Sequence, residues 1–113
     1  MTSFFRQTVF ALFLAGWGTV SGAFAADRIP VFVTIVPQAG VVQEIGGDRV
    51  MVQVLVEPGA DPHTYEPKPR QMAQLSQAAL YFAIGIEMEK AKLDKITRMN
   101  PKLTVIHTDQ GIL

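Results

Sequence analysis

Val50-Met51-Val52-Gln53-Val54-Leu55-Val56 is the stretch on which the fold turns, with six apolar residues in seven, four of them valine. A run this continuously apolar and β-branched reads as a strand buried on both faces, the pattern of a parallel sheet. Working outward, Val31-Phe32-Val33-Thr34-Ile35-Val36 is a second β-branched run, closed by Pro37. Ala79-Leu80-Tyr81-Phe82-Ala83-Ile84 is a third, closed by Gly85, and Leu103-Thr104-Val105-Ile106 starts a fourth. The segments between them have helical spacing. Gln38 to Ile45 sets Val41, Val42 and Ile45 on one side before Gly46-Gly47 ends the run. Pro69 opens a second helix with Met72, Leu75 and Ala79 along one face. Glu87 to Asn100 is a third, with Leu93, Ile96 and Met99 inward and its lysines outward, followed by Pro101. The fold class is therefore α/β: a parallel βαβαβαβ sheet with right-handed crossovers and helices packed on it. No helix follows the fourth strand before Leu113, so the sheet is expected to be incomplete, the front portion of a larger α/β protein.

The first 25 residues have a different character. Arg6 supplies a modest positive start, Thr8 to Val20 is apolar, and Ala23-Phe24-Ala25 fits a small-x-small cleavage site. Residues 1–25 are expected to be a signal peptide and 26–113 an N-terminal α/β lobe. The rival reading is an uncleaved membrane anchor; Gly16, Gly18, Ser21 and Gly22 favour cleavage, after which no stable membrane insertion is expected. The chain has no cysteine, hence no disulfide and no lipid-attachment thiol, and the expected location is the periplasm. Ten Lys plus Arg balance ten Asp plus Glu without a basic stripe, which argues against a nucleic-acid partner.

The candidate chemistry sits in Val56-Glu57-Pro58-Gly59-Ala60-Asp61-Pro62-His63-Thr64-Tyr65-Glu66-Pro67-Lys68-Pro69-Arg70. Four prolines restrict this loop, which therefore gives up little freedom on folding and can aim one side chain. That side chain is His63. The loop follows the carboxyl end of a strand, where open α/β sheets collect ligands, and neutral imidazole ligates zinc, manganese and iron. By itself, one loop histidine reads more readily as a surface residue. Glu66 either orients the imidazole or caps the following helix, with the structural role favoured. Tyr65 reads as a packing residue, and His107 as an exposed turn residue before Gly111. The chain has no dinucleotide or phosphate-binding glycine motif, no Gly-x-Ser-x-Gly and no His-Glu-x-x-His, so no enzyme is expected.

Three stretches (Ile45 to Val50, Leu55 to Arg70 and Leu75 to Glu89) closely resemble the zinc/manganese class of solute-binding components of bacterial ABC transporters. Pro58-Gly59-Ala60-Asp61-Pro62-His63-Thr64-Tyr65-Glu66-Pro67 is the most specific of the matching segments. The resemblance implies two α/β lobes joined by one long stiff helix, with a metal held between them and only small lobe movements on loading. This chain would supply the N-terminal lobe, and His63 the first ligand. The further ligands would come from segments beyond residue 113. The ligand would be a divalent metal ion, zinc first and manganese or iron as alternatives, and the partner an ABC transporter membrane permease. Glu89 matches the family's Gly-x-x-x-Glu position, while Lys92 stands where many members carry tryptophan. A surface adhesin-like role within the same family is the alternative function.

Overall fold

A computed structural model describes residues 27–112. The leader expected over residues 1–25 lies outside the described residues. The elements are β1 (Ile29–Val33), α1 (Val36–Gly46), a single 3-10 turn (Gly47–Arg49), β2 (Val50–Val54), α2 (Pro69–Leu75), β3 (Leu80–Ala83), α3 (Glu87–Met99) and β4 (Thr104–His107). All strand pairs are parallel and the order is β2-β1-β3-β4. Val31 faces Val52 on one side and Leu80 on the other, and Tyr81 faces Val105. The expected parallel βαβαβαβ sheet is what forms.

Direction of travel fixes the layers. The chain steps from β1 out to β2 and then back past β1 to β3 and β4, so right-handed crossovers put α1 on one face and α2 and α3 on the other. The face under α2 and α3 holds the core: Phe32, Leu55, Leu75, Tyr81, Ala83, Met88 and Ile96 are each at most 5% exposed. Asn100 closes its far end, donating from Nδ2 to the carbonyls of Leu75 (3.1 Å) and Ala78 (2.7 Å). That ties the end of α2 to the end of α3, and the two acceptors use the amide's two donors.

Several expectations need correction, among them Met99, expected inward on the third helix and 42% exposed. β2 is not buried on both faces: it is an edge strand, Met51 is 44% exposed, and burial becomes complete only at Leu55 and Val56 beyond its end. The more deeply buried strand is β1, whose Val31, Phe32 and Val33 are buried and flanked on both sides. An apolar run identifies a strand but not its place in the order. Nor does Pro37 close the first strand. β1 ends at Val33 and α1 begins at Val36, with Pro37 in its first turn, where a missing N–H costs nothing. Val41 and Ile45 are not core residues. They are 59% and 83% exposed, because among the described residues α1 is the only helix on its face and leaves an open apolar groove of about 400 Å³ against Val31, Val50, Leu80 and Phe82. Ala79 likewise leaves the expected helix face, since α2 ends at Leu75 and the Ala79 N–H already pairs with the Pro30 carbonyl.

Candidate metal centre

The loop between β2 and α2 is built from two consecutive turns, each started by a proline. In Glu57-Pro58-Gly59-Ala60 the Ala60 N–H returns to the Glu57 carbonyl at 3.0 Å. Pro58 occupies the second position and Gly59, at φ +83, the third, the arrangement of a type II turn that only glycine adopts without strain. In Asp61-Pro62-His63-Thr64 the Thr64 N–H returns to the Asp61 carbonyl at 3.3 Å. The Asp61 carboxylate also accepts the His63 N–H at 2.9 Å. His63 is thus held at the third position of a proline-started turn, with its side chain exposed at the tip.

The neck of the loop is cross-braced. Gln71, the third residue of α2, donates from Nε2 to the Leu55 carbonyl at 2.7 Å. Its Oε1 accepts the Tyr65 hydroxyl at 2.8 Å and the Lys68 N–H at 2.9 Å. One amide therefore ties the root of the loop to its exit and supplies the side-chain half of a helix cap. Lys68 adds an ion pair to Glu57 at 2.8 Å, which holds its ammonium above the ordinary value. Tyr65 packs against the core and Pro67 is buried, in agreement with the packing role expected of Tyr65.

Glu66 takes neither expected role. Its carboxylate pairs with Lys92 of α3 at 2.7 Å, and the helix-capping position belongs to Gln71. His107 is the last residue of β4 rather than a turn residue past it, paired with Ala83 and exposed, with Nδ1 3.9 Å from Asp109. β2 and β4 lie at opposite edges, three strand spacings or roughly 14 Å apart, so His63 and His107 are not brought together. Among the described residues no group of three or more His, Asp or Glu side chains could hold a metal ion. Among those residues His63 belongs to no such group.

Beneath the site lies a buried polar network, of which the sequence marked only Glu89, through its match to the family's Gly-x-x-x-Glu position. Glu89, 2% exposed, accepts the N–H groups of Ile84 (2.9 Å) and Gly85 (2.7 Å) and the Thr34 hydroxyl. Tyr81 Oη sits 2.9 Å from Thr34 Oγ1, and burial, with the Glu89 charge adding to it, raises the Tyr81 phenol above its ordinary range. The carbonyl of Thr34 accepts the Val56 N–H at 2.9 Å, and its N–H goes to Gln38 Oε1 at 3.0 Å. The network pins the carboxyl ends of β1 and β3, the point where strand order reverses, to the root of the His63 loop. A threonine ending a strand, and a glutamate in the first turn of a helix after a glycine, were the available signals.

The described residues form an α/β lobe, a parallel sheet with a braced histidine loop at its carboxyl edge. Residues 31–113 match the family model described as ZnuA, zinc-uptake complex component A, periplasmic, and the chain belongs to that family. It is 35% identical over 85 residues to the manganese ABC transporter substrate-binding lipoprotein PsaA of Streptococcus pneumoniae, covering 75% of this chain and 27% of that protein. The metal ABC transporter substrate-binding lipoprotein FimA of Streptococcus parasanguinis is also 35% identical, with the same coverage. The crystal structure of a zinc-bound ZnuA lacking residues 138–173 superposes with TM-score 0.72 at 45% identity, over 77% of this chain and 34% of that one. The manganese-bound periplasmic metal-binding protein of Candidatus Liberibacter asiaticus, at 24% identity and TM-score 0.67, shares the fold. The chain spans about a third or less of the length of these relatives.

Proposed function

We propose that this chain is the metal-gathering N-terminal lobe of a periplasmic solute-binding component, preceded by a signal peptide over residues 1–25. The lobe contributes His63 to a divalent transition metal, zinc first and manganese or iron as alternatives, for delivery to an ABC permease. The role is binding rather than catalysis. One observation carries this reading: the family's most specific segment folds here into a twice-turned, cross-braced loop that offers His63 at the carboxyl edge of the sheet. The relatives named for zinc and manganese support the class of cargo.

The chemistry follows from the donor. An imidazole ligates through a neutral nitrogen, so protons compete with the metal and affinity falls as pH falls. The two turns fix the backbone at His63 before metal arrives, which reduces the ordering cost of capture. Zinc titration followed by NMR tests the assignment. The largest shifts are expected at the His63 ring and to vanish in His63→Ala; equal zinc response in that variant would remove His63 from the site.

A further inference from the structure

The braces described above all act at the neck of the His63 loop. Gln71 and the Glu57–Lys68 pair join residues 55–57 to residues 65–71, and the tip is held only by its own turn bonds. One polar contact carries the far side of the loop to another element. Lys92, in the second turn of α3, places Nζ 2.7 Å from Glu66 Oε1, three residues from His63. Lys92 is the more sheltered partner, its side chain 28% exposed against 76% for Glu66, so its stem lies along the protein while the charge reaches outward.

We propose that Lys92 is a positioning residue for His63. Its ion pair with Glu66 docks the far side of the loop on α3 and so narrows the directions in which the imidazole is presented. The functional consequence rests on His63 being a metal donor; the docking itself does not. Because Glu66 is open to solvent, this brace differs in kind from the Gln71 fork: salt screens it, whereas the fork is largely indifferent to salt. The orientation of the metal donor is thereby made sensitive to ionic strength. Neighbouring charges leave the pair in place, since Lys90 is engaged with Glu87 at 3.2 Å and Lys68 with Glu57.

The test uses the full chain and amide hydrogen exchange at His63 and Thr64, read by NMR. At low salt, Lys92→Met and Glu66→Gln are each expected to speed exchange about two- to fivefold, the range an exposed ion pair supports. Lys92→Arg keeps the wild-type rate, and the swapped pair Lys92→Glu with Glu66→Lys recovers it. Raising salt to about 1 M, where the screening length is near 3 Å, loosens the wild type more than Lys92→Met, in which only the Glu57–Lys68 pair at the neck is left to be screened. Wild-type exchange in both single variants, no effect of salt on the wild type, or a Lys92→Arg variant as loose as Lys92→Met would each overturn the proposal. Glu66→Gln alters an exposed side chain, so the test survives if Lys92→Met folds poorly. A wild-type His63 ring that ignores zinc would refute the metal reading while leaving the exchange result to stand or fall separately.

Discussion

Replacing Gln71 by methionine removes one side-chain amide and three hydrogen bonds while keeping an unbranched chain of similar length. The three losses are unequal. The Lys68 N–H is exposed and turns to water at little cost, whereas the Leu55 carbonyl belongs to a residue with no exposed surface. An unpaired buried acceptor costs about 1–3 kcal/mol, and the half-buried Tyr65 hydroxyl adds up to about 1 kcal/mol. The expected loss is about 2–3 kcal/mol. A domain of this size unfolds at a cost of roughly 4–13 kcal/mol, so this is a large share from a residue outside the core. Urea denaturation should show a lower midpoint with an unchanged slope, and thermal melting a fall of roughly 10–20 °C. NMR should place the greatest loss of order in residues 57–68. A change below about 0.5 kcal/mol, or disorder spread over the sheet, would refute the idea that Gln71 is the main brace of the loop.

Other consequences follow from the same contacts. Glu89→Gln leaves one oxygen where two carboxylate oxygens accept from Ile84, Gly85 and Thr34, and is expected to destabilise the lobe by about 1–3 kcal/mol, measured by denaturant unfolding; a near-neutral result would mean the network is slack. Tyr81 holds its proton more tightly folded than unfolded, where it titrates near ~10. Its contribution to stability is therefore complete below about pH 10 and declines as pH rises further, and ultraviolet titration should show Tyr81 still protonated at pH 10 in the native chain. Residues 26–113 carry two imidazoles, His63 and His107, at opposite edges of the sheet and in no group of three or more donors, so their zinc affinity is expected to be weaker than micromolar by calorimetry; a sub-micromolar constant would mean that donors other than His63 take part.

The sheet was legible because the four strand runs are apolar, rich in β-branched or aromatic residues, and separated by helix-length segments; parallel pairing follows from connectivity alone. Depth of burial was not legible. Val50 to Val56 is more continuously apolar than Val31 to Val36, yet the strand order sends β2 to the edge and β1 to the centre. The same limit applies to α1, whose Val41 and Ile45 have helical spacing but no second helix beside them to complete their burial. At the site, His63 could be picked out because proline and glycine encode turns locally. Gln71, Lys92 and the Thr34–Glu89 contact could not, because each joins residues far apart in sequence: 16 positions for Gln71 to Leu55, 26 for Lys92 to Glu66 and 55 for Thr34 to Glu89. For Gln71 the local hint was a glutamine at the third position of a helix with proline in its first turn, as in both α1 and α2.

Grafting residues 27–112 in place of the equivalent lobe of the 45%-identical zinc-bound ZnuA, and titrating the chimera with zinc by calorimetry, puts His63 to the most direct test. The account predicts tight one-to-one binding by the chimera and a loss of at least about tenfold on His63→Ala, with the melting temperature of the metal-free protein unchanged. Retention of full affinity by the His63→Ala chimera would contradict it.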